Sequence, residues 1–112
     1  MKKLETEAIE PPGRAYLRTD DLGNEKPYVG QTMSEERFAA RIKEHERASK
    51  TAVYSYRVLG RAHPGQDLDR MEEHYIRQFG GPTNKGNPDG LLANKRHQMR
   101  EQRYQDAGGD LS

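Results

Sequence analysis

Tyr16, Tyr28, Arg41, His45 and Glu72 bring together two phenols, a guanidinium, an imidazole and a carboxylate. The tyrosines stand in short strand-like runs, Gly13-Arg14-Ala15-Tyr16 and Tyr28-Val29-Gly30, about a dozen residues apart. Arg37, Arg41 and His45 recur at i, i+4, one helical turn each, and so share one face of a helix. Glu72 falls inside an apolar arc of Leu68, Met71, Tyr75, Ile76 and Phe79. A carboxylate in such a stripe is costly to bury unless a cation or good donors compensate it. A divalent metal would compensate it, and so would an arginine ion pair. Hydrolysis of a phosphodiester needs a deprotonated nucleophile, neutralisation of charge on the phosphoryl oxygens and stabilisation of the leaving oxygen. These residue types can supply all three. Taken singly, each also has an ordinary role: a strand tyrosine packs, a helix arginine is solvated, a buried glutamate pairs with an arginine.

The elements that must position them can be read from pattern. Residues 1–12 are polar and end in Pro11-Pro12, which marks a flexible leader. Residues 14–19 and 26–31 alternate around Asp20-Asp21-Leu22-Gly23-Asn24, predicting a hairpin. Thr32-Met33-Ser34-Glu35 has the form of a capping box, with Thr32 as cap, opening a helix to about Ala48 whose core stripe is Phe38 and Ile42. Residues 52–60 are β-branched and aromatic and predict a third strand, ended by His63-Pro64-Gly65. A second helix runs from near Asp67 to Phe79, stopped by Gly80-Gly81-Pro82, with Glu73 and His74 turned to solvent. The turn-rich loop 82–94 tucks Leu91 and Leu92 back onto the core, Lys95 to Tyr104 form a basic helix, and order ends at Gly108-Gly109. The expected fold is α+β, ββαβα plus a C-terminal helix, with a three-stranded, mostly antiparallel sheet. Its domain covers 13–106, and 107–112 form a flexible tail.

Without cysteine, and with 31% hydrophobic against 33% charged residues, the 112-residue chain can build one small core and no disulfide staples. A mean hydropathy of −1.20 and the absence of any apolar run near 20 residues leave no candidate membrane span or anchor. The net charge of +1 argues against a uniformly basic nucleic-acid binder. Acidic residues nevertheless gather early, whereas Lys85, Lys95, Arg96, Arg100 and Arg103 gather late, so a locally basic face can form on a nearly neutral chain.

The order of elements, the tyrosine spacing and the later polar residues resemble the GIY-YIG endonuclease superfamily over roughly residues 13–94. Gly13-Arg14-Ala15-Tyr16 keeps the first motif's tyrosine, and Tyr28-Val29-Gly30 followed by Gln31-Thr32 matches the second. The family's helix arginine and histidine correspond to Arg41 and His45, with Arg37 competing for the arginine. Its metal-ligating glutamate corresponds to Glu72, four residues before Ile76. Its closing asparagine corresponds to Asn94, or to Asn84. The resemblance implies that Glu72 binds one Mg²⁺ or Mn²⁺, that Tyr16 acts as general base with its phenol pKa lowered by nearby cations, and that Tyr28 holds water or phosphate in line. Arg41 then stabilises the transition state, and His45 orients or deprotonates a tyrosine. Arg37, Lys95, Arg96 and Arg100 contact the substrate, DNA rather than RNA. The segment Ser34 to His45 also resembles nuclease domains at the C-termini of bacterial polymorphic and contact-dependent toxins. That implies a cognate immunity protein as partner, and delivery of the domain by a secreted effector into the cytoplasm of the cell where it acts.

Two other readings stand beside this one. A ββα-metal site would draw on His63, His74 and His97 with Asn84 or Asn87, but no paired histidines precede a suitable asparagine. A non-catalytic module would grip nucleic acid or protein through Lys95 to Arg103 and use Glu72 in a structural ion pair. On the nuclease reading, His97 matters little.

Overall fold

Asp20 closes the first strand and organises the turn that follows. Its carboxylate accepts from the amides of Leu22, Asn24 and Glu25 at 3.1, 2.9 and 3.1 Å. The chain therefore reverses, and β1 (Gly13–Asp20) pairs antiparallel with β2 (Tyr28–Thr32), from Arg14↔Thr32 to Arg18↔Tyr28. β3 (Tyr54–Ala62) lies antiparallel on the other side of β1, with an irregularity between Ala15 and Tyr16. The sheet order is β2-β1-β3 and every pairing is antiparallel. With α1 (Glu35–Ala48), α2 (Gln66–Gln78) and a short α3 (Glu101–Asp106), the fold is the expected α+β arrangement. This computed structural model describes residues 10–111, so most of the expected leader lies outside the described residues.

Alternation along β1 sorts the two layers. Leu17 joins Val29, Ile76 and Leu92 in the aliphatic core, with Leu59, Tyr75 and Phe79 packed against it, so α2 covers this face. Arg14, Tyr16 and Arg18 point the other way and meet Phe38 and His45 of α1. This second layer is aromatic: Tyr16, Tyr28, Phe38, His45, Tyr54 and Tyr56 pack mostly edge-on or tilted, with His45 stacked on Tyr56, at ring separations of 5.1 to 6.4 Å. No side chain of α1 is fully buried, and Phe38 and Ile42, its expected core stripe, are only half-buried.

Gly30 shows why the second tyrosine run ends in glycine. It is the direct cross-strand partner of Tyr16, and a Cβ there would lie 2.5 Å from both Cζ and Oη of that tyrosine. Gly30→Ala must therefore displace the ring or open the hairpin. We expect a loss of about 1–3 kcal/mol in urea unfolding, the usual cost of overpacking. An unchanged midpoint would mean that the Tyr16 ring is not seated on Gly30.

Several expectations fail for identifiable reasons. Ser34, not Thr32, caps α1, accepting from the Arg37 amide at 3.1 Å, because Thr32 is still paired with Arg14 in β2. Leu91 is 62% exposed and lies against Gly80, while Leu92 alone enters the core. Lys95 to Arg100 are not helical, because the Gln98 and Met99 amides are claimed by the Glu73 carboxylate; only Glu101–Asp106 form a turn and a half of helix. Glu73, expected in solvent, is 0% exposed. Residues 107–111, expected to be a loose tail, are held against α2: Arg70 donates to the carbonyls of Gly108, Gly109 and Asp110, and Tyr104 donates to the Asp110 carboxylate.

Candidate active site

The hairpin and α1 bring the first three candidates together. Tyr16 is fully buried, its ring centroid 6.3 Å from that of Tyr28, and its Oη lies 2.9 Å from His45 Nε2. His45 Nδ1 lies 3.0 Å from Arg18 Nη1. A guanidinium can only donate, so Nδ1 accepts and the proton of the neutral ring sits on Nε2. The ring is neutral: burial, and then the charges of Arg18 and Arg41, pull its pKa down to about 4. Nε2–H therefore donates to the Tyr16 oxygen. In this arrangement His45 orients Tyr16 and cannot deprotonate it.

The expected lowering of the Tyr16 pKa is reversed. Burial, reinforced by neighbouring Tyr28, pushes the phenol well above its usual range, and Arg41 only partly opposes this. Tyr28 is also raised, first by burial and then by the negative charge of Glu72, against the pull of Arg41 and Arg18. Both side chains are phenols at neutral pH. With its oxygen accepting from His45, Tyr16 keeps its own proton free to donate.

Glu72 meets these groups from α2. It is 6% exposed, its Oε1 is buried with no hydrogen-bond partner, and it forms no ion pair among the described residues. Burial, with Asp69 and Glu73 nearby, pushes its pKa up to about 7, against the opposing effects of Gln31 and Arg41. A buried, orphaned carboxylate oxygen is what a hard divalent cation satisfies, so the residues fit one Mg²⁺ or Mn²⁺. No cluster of three or more His, Cys, Asp or Glu suited to a metal occurs among the described residues, and Glu72 would be its single protein carboxylate. Arg41 lies within electrostatic reach of Tyr16, Tyr28 and Glu72 together, with its Nε 3.1 Å from Glu44.

The remaining candidates divide. Asn94 is buried, its Oδ1 accepting from the Val29 amide at 2.9 Å and its Nδ2 donating to the Val29 carbonyl at 2.7 Å. It pairs with the free edge of β2 as a strand would, which fixes the residue next to Tyr28, and it lines the same cavity as Tyr28 and Glu72. Asn84, the alternative, is exposed and donates from Nδ2 to the Lys95 carbonyl at 2.7 Å. Arg37 is exposed and shares a cavity of about 510 Å³ with Arg41, Gln31 and Asp69. Lys95 and Arg96 line a separate cavity of about 290 Å³ with Tyr28 and Glu72. Arg100 lies farther along, in a third cavity of about 690 Å³.

Two groups escaped the sequence reading. Arg18 sits over the rings of Tyr28 and Tyr54, at 5.0 and 4.4 Å from their centroids, and fixes the His45 tautomer. Its i, i+2 spacing from Tyr16 on a strand was the available signal. The second group is Glu73 with His97, whose Nδ1 lies 2.6 Å from the carboxylate. No local pattern links residues so far apart in the chain. No protein family, no curated protein and no solved structure matches this chain, so these contacts and the sequence resemblance carry the functional reading.

Proposed function

We propose that the chain is a metal-dependent endonuclease that hydrolyses phosphodiester bonds, in DNA before RNA. The observation that carries this reading is the buried Glu72 carboxylate, its Oε1 without a partner, lying within electrostatic reach of Tyr28 and Arg41 and in no ion pair among the described residues. A divalent ion held by Glu72 would supply Lewis-acid neutralisation of the phosphoryl oxygens and lower the pKa of the attacking water, whose proton would pass to solvent. Arg41, with its planar fork, would bind the phosphate and stabilise the charge that builds on it. Tyr16 and Tyr28 would hold the attacking water and a phosphoryl oxygen in line. His45, donating to Tyr16, fixes the direction of the Tyr16 proton, and Arg37, Lys95 and Arg96 would contact the flanking backbone. The toxin setting, with an acidic immunity protein covering these cations, is carried by the resemblance of the Ser34 to His45 segment.

The test is incubation of the purified protein with supercoiled DNA, linear DNA and total RNA, with Mg²⁺ or Mn²⁺ and with chelator. Metal-dependent nicking is expected. Tyr16→Phe should lower its rate by about 100-fold, the usual cost of losing the alignment of a reactant. Binding without cleavage under every metal would leave a non-catalytic module instead.

A further inference from the structure

Glu73 fastens an irregular loop to α2. Its Oε1 accepts from the Gln98 and Met99 amides at 2.7 and 3.0 Å, and its Oε2 accepts from Arg77 Nε at 2.7 Å and lies 2.6 Å from His97 Nδ1. Met99 is driven inward by the same anchoring and is 2% exposed. Arg96 and Arg100, on either side of the 97–99 segment, are left on the surface, and neither side chain has a hydrogen bond or ion pair among the described residues. They line the cavity of about 690 Å³ together with Arg77 and Arg103, opposed by Glu101 as the sole acidic lining residue. Arg77 is committed to Glu73 and Glu101, and Arg103 Nη2 lies 3.5 Å from Asp69, so the uncompensated charge belongs to Arg96 and Arg100. On a chain of net charge +1 this is a local concentration of positive charge.

Position gives that charge a use. Arg96, His97 and Gln98 line both this cavity and the smaller one that holds Glu72 and Tyr28, so the two share a wall. We propose that the arginine cavity is a second phosphate subsite, which holds a phosphodiester of the same nucleic-acid strand whose scissile phosphate lies at Glu72. The inference rests on the nuclease reading for the placement of the strand. Guanidinium forks match phosphate oxygens in pairs, and a repeating polyanion can occupy both cavities along their common wall. An acidic peptide would match the charge but not the continuity.

Fluorescence anisotropy of a labelled oligodeoxynucleotide, titrated in chelator across a salt series, tests the subsite without any cleavage. Replacing both residues (Arg96→Ala with Arg100→Ala) should weaken binding by about tenfold or more and flatten the log affinity against log salt slope by about one unit per arginine. Arg96→Lys with Arg100→Lys should restore the slope but not the full affinity, because the ammonium keeps the charge and loses the fork. Lys50→Ala, on an exposed residue after α1, should change neither. Wild-type affinity and slope in the double alanine variant would overturn the proposal, as would a wild-type protein that binds a polyglutamate peptide and no oligonucleotide. Binding that depends on Arg96 and Arg100, in a protein that cleaves under none of the metals tried, would uphold the phosphate subsite and refute the nuclease.

Discussion

Glu72→Gln is expected to abolish metal-dependent cleavage and at the same time make the metal-free protein more stable above neutral pH. The catalytic half follows from the loss of the one buried carboxylate oxygen without a partner among the described residues. Removing such a ligand should cost about 10³-fold or more in rate, since a bound ion supplies several kcal/mol of charge stabilisation. The stability half follows from burial. In the folded protein the Glu72 pKa is raised from its usual 4.5 to about 7, so the native state holds this proton more tightly than the unfolded chain does. Below the unfolded value both states are protonated and nothing is lost. Between the two values the native state carries the extra proton, so stability falls as pH rises. Above the folded value the whole penalty is present, roughly 3 kcal/mol. Urea unfolding in chelator should show no gain for Glu72→Gln near the acid end of that window and the full gain above it. Mg²⁺ should stabilise wild type and leave the variant unmoved. A variant that cuts DNA at the wild-type rate, or that unfolds more easily than wild type at high pH, would remove the basis for a metal at this position.

Glu73→Ala should do the opposite, lowering stability by about 3–5 kcal/mol, the usual result of removing one partner from a buried ion pair. Four donors lose their acceptor at once: Arg77 Nε, His97 Nδ1 and the amides of Gln98 and Met99. The Met99 amide is buried and cannot turn to water for a replacement. In a domain of this size the loss should appear as a fall in melting temperature of roughly 15 °C or more. A loss under about 1 kcal/mol would mean that the 97–99 loop is not anchored through this carboxylate. Glu72 and Glu73 are adjacent on one helix, yet the first has an oxygen without a partner and the second has both oxygens saturated. On the metal reading, that contrast separates a carboxylate kept for a ligand from one that holds the fold.

Local pattern reached as far as local forces act. Alternation around Asp20 to Asn24 specified the hairpin, and the i, i+4 stripes specified α1 and α2 to within a residue or two. The same periodicities place Tyr16 and Tyr28 on neighbouring strands, Arg41 and His45 on one helix face, and Glu72 in an apolar arc. The cap of α1 was misplaced by two residues because strand pairing held Thr32 longer than its hydroxyl could begin a helix. The basic C-terminal helix was misread because charge and propensity favour it locally, while a distant carboxylate takes the amides it needs.

The amino-acid sequence by itself determined the order of elements, the alternation of the hairpin strands and the residue types available for chemistry, because these depend on neighbours within a turn or a strand. Only the tertiary structure decided which proton His45 carries, that burial raises the Tyr16 phenol, and that Asn94 pairs with β2. It also decided which of two adjacent glutamates is left with an unpaired oxygen. Those outcomes depend on burial and on partners tens of residues away, and no short-range pattern encodes them.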